Sequence, residues 1–188
     1  HPRPDQRHIR YNDALALPAV LTTEFNIEGN PIPKFIDLVI QIQPDQVTLV
    51  PDSEDVITSN AGWDTVKHKD FLEEVISEFQ SHGIRTSIFV DPIEKMVEGA
   101  KNTGADRIEL YTEAYAQNFK KNPEKAIAPY TRAALLANDL GIGINAGHDL
   151  NLENTAFFAQ NILNLLEVSI GHALVSESLY LGFENVIP

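Results

Sequence analysis

Six short apolar runs alternate with longer amphipathic segments along this chain, and that alternation constrains its fold more than any other feature. The runs are residues 23–28, 46–51, 85–91, 107–113, 141–147 and 167–170, rich in Ile, Val, Leu and Phe. Segments of helical period lie between them. Residues 34–43 place Phe35, Leu38, Val39 and Ile42 on one face. Residues 64–81 start at Asp64 as a helix cap, repeat Phe71, Val75 and Phe79 at four-residue spacing and stop before Gly83. Residues 92–102 begin with Pro92 as a first helical residue and run out before Gly104. Residues 123–140, 151–163 and 173–183 complete the helices. Strands alternating with helices make βαβ units, and strands this uniformly apolar belong to a parallel sheet covered by helices.

Two architectures fit: a doubly wound sheet or part of a (β/α)8 barrel. No Gly-x-Gly-x-x-Gly or Walker loop follows any strand, which removes the main argument for a nucleotide fold. Polar residues gather instead at the C-terminal ends of the strands: Glu28, Asp91, Glu109 with Thr112 and Glu113, His148, and Gly171-His172. Convergence of several strand ends on one site is what a barrel provides. The expected fold is therefore an α/β TIM barrel, with residues 1–188 as one domain. Such a barrel typically needs eight strands and about 250 residues. The chain opens on His1-Pro-Arg-Pro and its one methionine is Met96, so it reads as a piece of a longer protein, lacking the N-terminal strands and starting near the end of the second.

Composition excludes several functions. Fourteen Lys and Arg against 27 Asp and Glu leave a net charge of −13, which opposes non-specific nucleic-acid binding. The absence of cysteine removes disulfides, thiolate metal sites and a cysteine nucleophile. No apolar run approaches the roughly 18–20 residues of a membrane span, and no signal peptide is visible, so the expectation is a cytoplasmic protein with no membrane partner. No His-x-x-x-His pair or carboxylate cluster suggests a metal, and no lysine ends a strand as a Schiff-base lysine should.

What remains is acid–base chemistry. Gly147-His148 and Gly171-His172 each end an apolar run, the glycine permitting a sharp turn or close approach and the histidine titrating near neutral pH. Glu28 closes its strand as either a rim base or an ion-pair partner. Alternation aims Glu109 into the barrel, where a carboxylate needs a partner or a raised pKa. His68 and His82 belong to polar helix sides. The helix after Val168-Ser-Ile-Gly-His172 starts where an anion is favoured. His1, Arg3, Arg7, His8 and Arg10 form a cationic cluster, either a second anion site or a solvated end.

These stretches resemble the pyridoxine 5′-phosphate synthase family of deoxyxylulose-phosphate-dependent vitamin B6 biosynthesis. The resemblance rests on residues 1–9 (His-Pro-Arg-Pro-Asp-Gln-Arg-His-Ile), Phe25-Asn-Ile-Glu28, residues 46–51, Ile57-Thr58, residues 107–112, Asn145-Ala-Gly-His148 and residues 169–173. It implies a TIM barrel, commonly a homo-octamer, that condenses two phosphorylated substrates without metal or organic cofactor. These are 1-deoxy-D-xylulose 5-phosphate and 3-amino-2-oxopropyl phosphate, and the products are pyridoxine 5′-phosphate, phosphate and water. By motif, His1 and Glu28 correspond to the proton acceptors, His148 to the proton donor and Glu109 to the residue that stabilises a transition state. Arg3, His8 and Thr58 correspond to deoxyxylulose phosphate contacts, Gly171 and His172 to the amino ketone's phosphate site, and Asp149 to a further contact where many relatives have glycine. The family's first strand, with an Asn-x-Asp-His-type motif, has no counterpart here. Two other readings stay open: another phosphosugar-binding barrel, an isomerase or epimerase using Glu28 and His148, and a catalytically silent phosphate-binding fragment.

Overall fold

The computed structural model describes residues 1–52 and 61–187. Six strands run in chain order: β1 (Asn26–Gly29), β2 (Gln46–Leu49), β3 (Arg85–Val90), β4 (Arg107–Tyr111), β5 (Gly143–Gly147) and β6 (Leu165–Ser169). Every adjacent pair is parallel and the spatial order is β1-β2-β3-β4-β5-β6, so each connection steps one strand along the sheet. Helices fill the crossovers: α1 (Tyr11–Ala16) precedes the sheet, then come α2 (Pro33–Ile42), α3 (Lys69–Ser81), α4 (Glu94–Asn102), α5 (Glu113–Phe119), α6 (Pro123–Leu140), α7 (Thr155–Asn161), α8 (His172–Leu181) and α9 (Phe183–Val186). The fold is α/β with an all-parallel sheet, as the alternation requires.

The sheet curls. Gln46 on β2 and Glu167 on β6 are four strands apart, about 19 Å across a flat sheet at ~4.8 Å per strand. Yet Gln46 Nε2 donates to Glu167 Oε2 at 3.1 Å. The strands therefore bend into an arc whose concave face brings distant strands together. Alternation assigns the side chains. Ile27, Val47, Leu49, Ile88, Val90, Ile108, Leu110, Ile144 and Ala146 are buried in the main core with Phe35, Val39, Leu72, Phe79, Val97, Tyr130 and Phe158 of the helices. The intervening residues face the hollow and are largely polar: Gln46, Thr48, Ser87, Glu109 and Asn145 are all buried there.

At the N-terminal end of that hollow lies an ionic plug. Glu167 accepts from Arg107 at 2.7 Å, from Asn145 at 3.0 Å and from Gln46, while Arg85 bridges Gln46 and Glu24. At the other end Val50, Phe89 and Tyr111 form a small second apolar cluster. Polar termini and this apolar girdle bracket the site.

Several boundaries differ from the sequence expectation, each for a local reason. Asp64 does accept from the N–H groups of Val66 and Lys67, but it caps a turn, and α3 begins only at Lys69. The buried face of α3 is Leu72, Val75, Ile76 and Phe79, with Phe71 left 42% exposed against Trp63. His68 is half-buried, its ring edge-on to that same Trp63. Ile93 N donates to Asp91 O, which delays α4 past Pro92. Gly141 belongs to α6 as its left-handed cap, so β5 starts at Gly143. The run 107–113 stops being strand after Tyr111, because Thr112 turns its hydroxyl to β5 and α5 begins at Glu113. Asn151 and Asn154 hold a turn through their side chains and shorten α7.

Candidate active site

The C-terminal ends of the strands open onto a cavity of about 870 Å³. His1, Arg3, His8, Glu28, Glu109, His148, Asp149, Gly171 and His172 line it, with Phe89, Ser169, Ile170, Val175, Ser176 and Leu179. Nine of the ten expected site residues thus face one space, and Thr58 lies outside the described residues.

Each wall is built differently. Residues 1–10 reach the cavity rim without regular structure. Arg3 anchors them: it is 5% exposed and pairs at 3.3 Å with Asp52, itself 4% exposed, just after β2. Asn30 Nδ2 donates to the Asp52 carbonyl and ties that loop to β1. His1 Nδ1 then stands 3.1 Å from Glu28 Oε1. The cationic cluster divides here. Arg7 pairs with Asp5, and Arg10 with Asp13 at the start of α1, so His1, Arg3 and His8 are its members on the cavity. Partial burial and the charges of Arg3, Arg7, His1 and His172 push His8 below the ordinary histidine range.

Glu109 sits at the floor, 2% exposed. Burial first, and the charge of Glu28 second, push its carboxyl up to about 8, against hydrogen bonds from Ser169 and Thr48. Glu109 is therefore a neutral acid at pH 7, able to donate as well as accept. Gly147 makes room for it: a Cβ there would collide with Glu109 Oε1 and the Ser169 Cβ. The glycine before His148 thus serves close approach.

The turn itself falls to residues that seldom make one. His148 has φ 82° and Asp149 φ 58°, two successive left-handed non-glycine residues. Thr112, fully buried, holds them by sharing its one hydroxyl proton between the carbonyls of Gly147 and His148. Tyr111 presents its ring edge-on to His148, with centroids 5.2 Å apart and planes at 87°. On the far wall Gly171 is the N-cap of α8 and His172 its first residue. The first N–H groups of such a helix lack intrahelical acceptors and suit an anion.

Asp52, Thr48 and Thr112 also shape this site; Thr48 and Thr112 lie inside stretches that carry the family resemblance, though no role attaches to them there, and Asp52 lies outside them. The Thr112 hydroxyl ends a predicted strand, which is the one local signal; Asp52 has none, because its partner is 49 positions away in sequence and is matched only by the fold. Among the described residues no group of three or more His, Cys, Asp or Glu side chains is placed to hold a metal ion. No helix among them is long and apolar enough to cross a membrane.

Comparison with known proteins bears on the same residues. The family model described as "Pyridoxal phosphate biosynthesis protein PdxJ" matches residues 1–188. The chain belongs to the PdxJ family. Curated relatives named pyridoxine 5′-phosphate synthase are 66% identical in Flavobacterium johnsoniae, 64% in Christiangramia forsetii and 59% in Bacteroides fragilis. Each alignment covers 187 residues, 100% of this chain and 79% of the relative. Among solved structures, the PaMucR phosphodiesterase in its c-di-GMP complex superposes with a TM-score of 0.50 at 12% identity, over 82% of this chain and 63% of that one. That likeness speaks for the fold alone.

Proposed function

We propose that this PdxJ-family chain makes pyridoxine 5′-phosphate from 1-deoxy-D-xylulose 5-phosphate and 3-amino-2-oxopropyl phosphate, releasing phosphate and water. The observation that carries the reading is one cavity holding an acid–base set between two cationic or N–H-rich walls. Arg3 and His8 lie on one wall, and Gly171 and His172 at the start of α8 on the other. Two such walls suit two phosphorylated substrates, each held by its phosphate with its carbonyl end over the floor.

The condensation consists of imine formation, dehydration, phosphate loss and ring closure, all of them proton transfers near carbonyl carbons. In this reading Glu28 and His1, 3.1 Å apart, accept protons as a pair. His148 donates to leaving oxygens. Glu109, uncharged at the floor, donates a hydrogen bond to oxygen that gains negative charge as each step proceeds. Positioned acids and bases typically contribute about 10²–10⁴-fold each to such steps. Thr58 completes the binding set in the same proposal, and Asp149 stands beside His148 at its edge.

The fold that goes with this function is a (β/α)8 barrel in which residues 1–188 form one domain and supply six strands. The arc that carries Gln46 to Glu167 supports closure. Assembly into a homo-oligomer, an octamer in the family, belongs to the same reading. Leu166 and Val168 on the outer face of β6 and Leu179 and Tyr180 on α8 are exposed, and closure or assembly would cover them. The test supplies both phosphorylated substrates to the full-length protein and follows pyridoxine 5′-phosphate by its absorbance. Product is expected only when both are present. Turnover of either substrate alone, with no condensation product, would favour a phosphosugar isomerase or epimerase instead.

A further inference from the structure

We propose that Asp149 is the positioning residue for His148: its carboxylate takes the imidazole Nδ1, leaving Nε2 as the nitrogen that works on substrate. The proposal rests on the functional reading above, in which His148 donates protons. Asp149 Oδ2 stands 2.9 Å from His148 Nδ1. The pair is close enough for a hydrogen bond but turned out of its alignment, and Nδ1 is a buried nitrogen with no hydrogen-bonded partner. A buried ring nitrogen needs one. The carboxylate has only to rotate, not to approach.

The backbone explains how neighbours in sequence can meet at all. In an extended strand successive side chains point to opposite faces. The left-handed conformations of His148 and Asp149 break that alternation and fold the two side chains toward each other. The conformation is unfavourable for both residues and persists because Thr112 grips the carbonyls of Gly147 and His148. Tyr111, edge-on to the imidazole, limits how far the ring can swing. Ring plane and ring position are therefore restrained, with the Asp149 carboxylate within reach of Nδ1.

One consequence follows for proton transfer. A carboxylate at Nδ1 selects the Nδ1–H tautomer, so the neutral ring recovers protons at Nε2. The arrangement further accounts for a carboxylate beside a cavity that takes phosphorylated substrates: Asp149 is set beside the imidazole of His148.

The test is Asp149→Gly in the full-length protein, because glycine accepts φ 58° without strain. Nitrogen-15 NMR of the histidine rings in the substrate-free protein should show His148 as the Nδ1–H tautomer in the wild type and shifting toward Nε2–H in the variant. Turnover should fall at least about tenfold, with KM changed less than about twofold, and Asp149→Glu should recover part of both signals. An unchanged tautomer with wild-type kcat in Asp149→Gly overturns the proposal. So does a rise in KM at constant kcat, which marks a substrate contact. Failure of the wild-type protein to form pyridoxine 5′-phosphate would sink the functional reading instead, while the tautomer would still decide whether Asp149 holds His148.

Discussion

At the scale of single residues, the floor of the site is governed by one neutral carboxyl. Glu109 is raised by burial and by Glu28, so the folded chain holds its proton up to about pH 8 while an unfolded chain releases it near the ordinary value of 4.5. The linkage has a definite sign. Stability from this group is fully present below about pH 4.5 and is lost as pH rises toward 8, where the folded state must keep an uncharged acid or bury a charge. Glu109→Gln removes the titration. Urea unfolding should therefore show the variant gaining on the wild type between pH 5 and pH 8, by on the order of 3 kcal/mol. A difference that does not vary with pH would mean that Glu109 is ionised throughout. Gly147 belongs to the same scale. Gly147→Ala drives a methyl group into Glu109 and Ser169, and overpacking of this kind costs about 1–3 kcal/mol. Thermal unfolding should register that loss, and turnover should fall with it.

These residues show what a sequence discloses about a site. The two glycine–histidine pairs marked strand ends correctly, because a glycine and a titratable ring are visible in one dimension. Their physical purposes were not. Gly147 gives room to Glu109, a residue 38 positions earlier, and the turn is made by His148 and Asp149. Such pairings depend on the register of β4 against β5, which places Tyr111 beside Gly147. The division of the N-terminal cations was equally hidden: Arg7 and Arg10 find acids two and three residues away, whereas Arg3 finds Asp52 only once β2 is in place.

At the scale of elements, strand and helix identity followed from hydrophobic period, and all six strands lie where apolar runs predict them. Boundaries shifted where polar side chains compete for backbone groups, as Asp64, Thr112, Asn151 and Asn154 do. The short helix α5 went unseen because its start is the tail of an apolar run. The curl of the sheet depends on an element-to-element contact, the plug at its N-terminal end. Glu167 gathers Arg107, Gln46 and Asn145 from three other strands. Glu167→Ala leaves those donors without their shared acceptor. Because Glu167 is 36% exposed and water can partly replace it, the expected loss is about 1–2 kcal/mol rather than the cost of a fully buried pair. Chemical denaturation checks this. A stability equal to wild type would assign the curl to the apolar outer face alone.

At the scale of the whole molecule, a parallel sheet, its curl and the family converge on one reaction. The ionic plug on the inner face and the helices packed on the outer face hold the sheet in its arc, the arc gathers strand ends, and the strand ends set Glu28, Glu109 and His148 around one cavity. The proposed chemistry requires that these groups act on two phosphorylated substrates together. The most direct test is steady-state formation of pyridoxine 5′-phosphate by the full-length protein and by its Glu28→Gln and His148→Asn variants, with both substrates saturating. Product is expected from the wild type, with a fall in kcat of about 10²–10⁴-fold in each variant. Undiminished turnover in both variants, or no pyridoxine 5′-phosphate from the wild type, would contradict it.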